Sequence, residues 1–164
     1  MISYLKCKII EKSERAVLVL TGGGVGYVIS MQVSRCASLR VGDNVGLYTY
    51  LRVGENALDL FGFETLEEKS FFELLLTVGG IGPKSAMHIL ELGSLEEISA
   101  AIGRGDVGYL TKVSGIGKKT AERLIVELKS KVISNQSLVS GKIGDTLSEV
   151  IDGLVSLGYS REEA

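Results

Sequence analysis

Two short segments of this chain carry the same arrangement of glycine, lysine and hydroxyl side chains. Residues 80–86 read Gly-Ile-Gly-Pro-Lys-Ser-Ala, and residues 115–121 read Gly-Ile-Gly-Lys-Lys-Thr-Ala. Glycines permit positive φ angles and the close approach of another chain. A helix that starts after them presents unpaired N–H groups at the positive end of its dipole, which is an anion site. The repeat therefore predicts two sites for nucleic-acid phosphates, which would contact the backbone without reading bases.

The elements that must position these residues are helices. Each segment follows an apolar stretch of helical periodicity, ending near Val78 and Val113, and opens another one, which predicts two helix-hairpin-helix units. Pro83 suits the first turn of the helix that it opens. The predicted phosphate contacts are Gly80, Ile81, Gly82, Lys84, Gly115, Ile116, Gly117, Lys118, Lys119, Thr120 and Arg123.

The repeat has two other interpretations. A pair of ordinary glycine turns between helices would need no ligand. A nucleotide-binding Walker loop is excluded, because Lys112 stands where its first glycine is required and Lys119 stands where Ser or Thr must follow Lys118.

Composition limits the remaining chemistry. The 164 residues are 45% hydrophobic and 23% charged, as expected of a globular chain, and no apolar run is long enough to cross a bilayer. The net charge is −2, but basic residues crowd the second repeat and its helix, whereas the chain after Val132 is acidic. Cys7, Cys36 and the single His88 are scattered, so the sequence predicts no metal, no cofactor and no catalytic triad. Lys6 and Lys8 interrupt the first apolar stretch, which argues against a signal peptide and favours the cytoplasm.

Residues 1–63 have the periodicity of β-strands. Five short runs rich in β-branched and aliphatic residues, separated by turn signals, predict a five-stranded barrel of the OB-fold type. The runs cover residues 5–10, 16–20, 27–31, 45–51 and 58–63. The barrel aromatics are interpreted as core or rim rather than as base-stacking groups; they are Tyr4, Tyr27, Tyr48, Tyr50, Phe61 and Phe63.

From Thr65 the periodicity becomes helical, and residues 64–132 are predicted to form an all-helical domain containing both hairpins. Thr65 and Ser94 each begin a capping-box pattern, and Asp106 is predicted to cap a short helix. The last helix is predicted to end at Val132. A flexible linker over 133–145 and an incomplete helical domain over 146–164 are expected to follow, and that tail is too small to fold alone.

The order of these parts resembles the RuvA family of Holliday-junction-binding proteins. The similarity covers nearly the whole chain, and its most specific part is residues 115–124, Gly-Ile-Gly-Lys-Lys-Thr-Ala-Glu-Arg-Leu. Residues 24–27 (Gly-Val-Gly-Tyr), 60–63 (Leu-Phe-Gly-Phe) and 154–159 (Leu-Val-Ser-Leu-Gly-Tyr) are also similar to the family pattern. The last of these resembles the start of the family's motor-binding domain.

The resemblance implies a non-enzymatic homotetramer that holds a four-way DNA junction open, with an octamer as the other possible assembly. The hexameric RuvB ATPase would drive branch migration from it, and the RuvC nuclease would be a further partner. The resemblance also implies an acidic pin at the junction centre, but Glu55 is followed here by Asn56, so one of its two carboxylates is missing. Gly79 and Ser114 are smaller departures from the family pattern. Because the tail is incomplete, junction binding without motor-driven migration is expected.

Two further hypotheses remain open. One is a helix-hairpin-helix module of a repair nuclease or glycosylase, which would need a cluster of carboxylates or a lysine in a cleft. The candidates Asp43, Glu55 and Asp59 are scattered over predicted turns. The other is a protein-protein scaffold, which would leave the basic hairpins without a role.

Overall fold

A computed structural model of the chain describes residues 1–55 and 57–139. The predicted tail over 146–164 and Asn56 lie outside these residues. Over the described part, no helix combines the length and the apolarity that a bilayer crossing requires.

The N-terminal part is a closed five-stranded barrel. Its strands are β1 (Tyr4–Lys12), β2 (Ala16–Thr21), β3 (Gly26–Ser30), β4 (Asn44–Val53) and β5 (Leu58–Phe63). They pair in the order β1-β2-β3-β5-β4, and β4 pairs with β1 to close the barrel. The β3–β5 pair is parallel and the others are antiparallel. Alternate side chains such as Ile9, Val19 and Leu47 fill the interior. The predicted OB-type barrel is therefore confirmed.

A short helix, α1 (Val33–Ser38), lies between β3 and β4 and was not predicted. Its sequence, Val-Ser-Arg-Cys-Ala-Ser, has little intrinsic helix propensity. Long-range contacts hold it instead. The Lys12 ammonium of β1 donates hydrogen bonds to the carbonyls of Cys36 and Leu39 at the end of α1, at 3.2 and 2.6 Å. A cation at a helix C-terminus also interacts favourably with the helix dipole.

The remaining described chain is helical. Its helices are α2 (Leu66–Leu76), α3 (Pro83–Leu90), α4 (Leu95–Arg104), α5 (Val107–Leu110) and α6 (Lys118–Val139). The prediction that the last helix ends at Val132 is wrong, because α6 continues to Val139 and includes the start of the predicted linker. The cause is that residues 118–140 contain no Gly or Pro that would end the helix earlier. Ser, Asn and Gln each cost less than about 1 kcal/mol within a helix.

The barrel and the helices share a hydrophobic core. Phe72 of α2 is fully buried, and its ring centroid lies 4.9 Å from that of Phe63 and 5.5 Å from that of Phe61, both of β5. Tyr50 of β4 adds an edge-to-face contact with Phe72 at 5.3 Å. The predicted core role of these barrel aromatics is confirmed.

Polar contacts through α1 supplement this apolar junction. Arg35 forms ion pairs with Glu64 at 2.8 Å and with Glu68 at 3.0 Å. The buried amide of Gln32 donates to the Leu90 carbonyl of α3 at 3.1 Å. Glu91 accepts hydrogen bonds from Arg15 and from the backbone N–H of Val33, each at 3.3 Å. The unpredicted helix is thus a contact between the barrel and the helical part.

Candidate nucleic-acid interface

The two repeated segments fold into hairpins of matching geometry. Gly80 has a φ of 93° and Gly115 a φ of 87°, and both belong to the left-handed region that favours glycine. Directly after them, the N–H of Ile81 donates to the Val78 carbonyl and the N–H of Ile116 donates to the Val113 carbonyl, both at 3.1 Å.

Buried isoleucines anchor each hairpin to the core. Ile81 and Ile116 are only 6% and 4% exposed, although the glycines on both sides of each are exposed. Both were predicted as part of the phosphate site. Because their side chains point into the core, they can contribute to a phosphate site only through their backbone groups.

The second glycine of each hairpin has no conformational reason to be glycine. Gly82 precedes α3 with φ −95° and ψ 173°, an extended conformation that any residue adopts. Gly117 is likewise not among the positive-φ glycines of the described chain. A Cβ atom added to Gly82 or Gly117 would meet no atom within 4 Å. The absence of a side chain therefore leaves open space in front of α3 and α6.

Helix capping separates the hairpin helices from the other helices in the same domain. The side chains of Thr65, Ser94 and Asp106 accept hydrogen bonds from backbone N–H groups at the starts of α2, α4 and α5. At Ser94 the predicted capping box is complete. By contrast, α3 begins after Gly82 with no side-chain cap, and Gly117 has no side chain that could cap α6. The first N–H groups of both hairpin helices are therefore open to an external acceptor.

The charged residues in the first helical turns also differ between the hairpin helices and the other helices. The first turns of α2 and α4 contain two glutamates each, which favour the positive end of a helix dipole. The first turns of α3 and α6 contain no acidic residue. They carry Lys84 and the pair Lys118 and Lys119, whose charge opposes the dipole. This local cost would be offset by a bound anion.

The lysines are accessible. Lys84, Lys118 and Lys119 are exposed, and within the described part of the chain only Lys118 has an ion-pair partner. That partner is Glu122, at 3.9 Å and with both side chains at least half exposed, so the pair is weak. Each of these ammonium groups can therefore turn toward a ligand at little cost.

The two hairpins lie next to each other. The guanidinium of Arg123, on α6, donates from its Nη1 atom to the Gly79 carbonyl at 3.2 Å. The Cγ2 atom of Thr120 lies 3.9 Å from the place that a Cβ on Gly80 would take. These contacts join the loop of the first hairpin to the first turns of the helix after the second.

Glu55, the predicted acidic pin, lies elsewhere. It is exposed at the tip of the β4–β5 hairpin, which is closed by a hydrogen bond from the Gly54 N–H to the Ala57 carbonyl at 2.9 Å. No hydrogen bond or ion pair within the described residues joins Glu55 to either helical hairpin. Within the described residues of one protomer, no polar contact therefore links the predicted pin to the predicted phosphate sites.

Lys112, which precedes the second hairpin, was not among the predicted phosphate contacts. Its ammonium lies 5.3 Å from the centroid of the Tyr109 ring, a cation–π distance. Burial, with smaller effects from the Glu97 and Asp106 carboxylates, raises the pKa of Tyr109. Its neutral phenol donates a hydrogen bond to the Leu92 carbonyl at 3.1 Å. The i, i+3 spacing of Tyr109 and Lys112 is the sequence pattern from which this cation–π contact could have been predicted.

Together, the barrel and the paired hairpins define a class of protein in which an OB-type barrel is joined to a tandem helix-hairpin-helix module. Comparison with known families agrees with this class. The model of the RuvA N-terminal domain matches residues 1–62, and the model of the SAM-like helix-hairpin-helix tandem matches residues 72–130.

Individual relatives extend the match over the whole chain. The Holliday junction branch migration complex subunit RuvA of Acetivibrio thermocellus is 39% identical, over 100% of this chain and 86% of that protein. The subunit of the same name from Janthinobacterium sp. is 41% identical over the same shares. That from Herpetosiphon aurantiacus is 45% identical, over 90% of this chain and 77% of that protein. The chain belongs to the RuvA family.

Proposed function

We propose that this protein binds four-way DNA junctions by their shape, independently of base sequence, and holds them open for branch migration in recombination and repair. The observation that carries the proposal is the pair of uncapped, lysine-bearing helix starts, placed side by side by the two hairpins. Membership of a family whose members are named as branch migration complex subunits supports the choice of a junction as the ligand. The same membership disfavours a repair nuclease or glycosylase.

Each hairpin would bind the phosphates of a DNA strand through its own main-chain N–H groups. The open N–H groups at the start of α3 and α6 donate to phosphate oxygens, and the missing Cβ atoms of Gly82 and Gly117 let the phosphate come close. Positive charge beside the bound strand comes from Lys84, Lys118 and Lys119. Because phosphates are the same at every base pair, such contacts fix position without reading sequence.

The assembly that we propose is a homotetramer, in which four protomers each contact an arm of the junction. Glu55 of each protomer would then meet at the centre, where its carboxylate repels phosphate and favours the open crossover over a continuous duplex. The protein itself would be non-catalytic. ATP hydrolysis would belong to a RuvB motor, and a RuvC nuclease would be able to share the junction. These partners follow from the family and not from a contact in the described residues.

The test is a gel-shift titration of a synthetic four-way junction and of a linear duplex made from the same arm sequences, repeated with shuffled sequences. Tighter binding of the junction, unchanged on shuffling and without strand cleavage, is expected. The mass of the complex in solution gives the number of protomers per junction. Equal affinity for junction and duplex, or cleavage of either, would overturn the proposal.

A further inference from the structure

We propose that Arg123 braces the two hairpins at a fixed spacing, in addition to any charge that it offers to DNA. The inference rests on the proposed DNA binding of the hairpins. Arg123 lies on α6, and its guanidinium bonds the carbonyl of Gly79, 44 residues earlier in the chain. Gly79 directly precedes Gly80, whose positive φ forms the first hairpin.

A brace matters because both hairpins must engage one DNA arm at once. Each hairpin is anchored separately through its buried isoleucine, whereas Gly79 and Gly80 are both exposed. Consecutive glycines have large conformational freedom, which a phosphate would have to restrict on binding. A hydrogen bond from α6 to the Gly79 carbonyl restricts it beforehand and sets the distance between the two phosphate sites.

The surroundings of Gly79, whose carbonyl accepts this hydrogen bond, also support the role of Arg123 as a brace. Gly79 is not one of the positive-φ glycines among the described residues, so its backbone conformation does not demand glycine. A Cβ atom there would lie 3.1 Å from Nη1 of Arg123, closer than ordinary contact. A Cβ at Gly79 would therefore require Nη1 of Arg123 to move by a few tenths of an ångström, so Gly79→Ala strains the brace without removing any charge.

Substitutions that retain the positive charge can distinguish a brace from a direct phosphate contact. Arg123→Lys retains the positive charge but replaces the planar guanidinium with a flexible ammonium that is not held at the carbonyl. A lost phosphate contact lowers the slope of log affinity against log salt by about one unit. A lost brace lowers affinity while leaving the slope unchanged, because the phosphate contacts themselves remain.

The experiment measures junction affinity between about 50 and 200 mM salt for the wild-type protein, Arg123→Lys, Gly79→Ala and the double variant. The matched control is Arg104→Lys, an exposed arginine at the end of α4. Arg123→Lys should weaken binding about fivefold with an unchanged salt slope. Gly79→Ala should weaken it by less, also with an unchanged salt slope, and the double variant should be no weaker than Arg123→Lys alone. Arg104→Lys should bind like the wild type.

Hydrogen exchange of the DNA-free protein gives a second readout, in which the amides of residues 79–82 should exchange faster in both single variants. The inference is overturned if Arg123→Lys binds with wild-type affinity, if its salt slope falls by about one unit, or if the two substitutions act additively. If the wild-type protein shows no preference for the junction, the proposed function fails instead, and hydrogen exchange still tests the brace.

Discussion

Filling the open start of α3 should raise stability and lower DNA affinity at the same time. The substitution is Gly82→Asp. The backbone of Gly82 already has the extended conformation of an N-cap residue, and an added side chain meets no atom within 4 Å. An aspartate there would accept hydrogen bonds from the N–H groups of the first turn, which are the groups proposed to bind phosphate.

The gain in stability can be estimated from three small effects. Asp is a better cap than Gly by a few tenths of a kcal/mol. A carboxylate at the positive end of the helix dipole adds about 0.3–1 kcal/mol. Replacing glycine reduces the entropy of the unfolded chain by a further 0.4–1 kcal/mol or so. The sum is about 1–2 kcal/mol, and each kcal/mol corresponds to an increase in Tm of about 2–4 °C in a protein of this size.

The loss of DNA affinity is larger. The variant loses two backbone hydrogen bonds to phosphate, worth about 0.5–1.5 kcal/mol each. It also places a carboxylate about 4 Å from a phosphate, which costs between about 1 kcal/mol in water and about 4 kcal/mol at the dielectric of a protein surface. Junction affinity should therefore fall by at least tenfold. Thermal unfolding and gel-shift titration measure the two effects on one preparation.

Gly82→Asn is the matched control, because it caps the helix without adding charge. It should give a smaller rise in Tm, because it lacks the interaction of a carboxylate with the helix dipole, and a smaller loss of affinity. If Gly82→Asp raises Tm while junction affinity stays the same, the start of α3 is not a phosphate site. If it lowers Tm, the assignment of Gly82 as an unstrained N-cap is wrong.

Three further predictions concern the lysines, the barrel tip and a helix cap. Lys118→Ala and Lys119→Ala should weaken binding to all sequences alike and lower the salt slope by about one unit per lost phosphate contact, so a sequence-selective loss in titrations of shuffled junctions would indicate base readout instead. Glu55→Gln should tighten binding to linear duplex more than to junction and Asn56→Asp should do the opposite, whereas an unchanged ratio of the two affinities would leave Glu55 a simple turn residue. Ser94→Ala should cost about 1 kcal/mol of stability near neutral pH. Hydrogen bonds from the backbone N–H of Glu96, and to a lesser extent from the Ser94 hydroxyl, lower the pKa of the Glu96 carboxyl. The stabilisation from the Ser94 bond is therefore present above the ordinary carboxyl pKa and is lost as pH falls through the folded pKa. A Tm difference between variant and wild type that does not shrink in acid would contradict this.

The hairpins were predictable from sequence because their geometry is local. A glycine at a positive φ, a buried isoleucine and a helix start lie within four residues, and the repeat supplied an internal check. The barrel strands were predictable for a similar reason, since their turns carry glycine clusters. Short-range rules for caps also identified Thr65, Ser94 and Asp106 correctly.

The missed features depend on contacts between distant residues. Helix α1 has weak propensity and exists because Lys12 and Glu91 satisfy its two ends. At Thr65 the capping pattern is only half realised, since Glu68 accepts from the Glu64 N–H and pairs with Arg35. The bond between Arg123 and Gly79 spans 44 residues. No local pattern encodes these pairings, because they arise only when the barrel and the helices are packed together.

The position of Phe72 between β5 and the helices has a consequence for folding cooperativity. The barrel has a buried interior of its own, but the rings of Phe61 and Phe63 extend from β5 into the core of the helical part, so that second core needs residues of both parts. Cutting the chain after β5 would expose these rings on one fragment and Phe72 on the other. In calorimetry the described parts should therefore melt in one transition, with the calorimetric and van't Hoff enthalpies equal. The tandem helix-hairpin-helix part is therefore not expected to fold as a separate fragment that lacks β5.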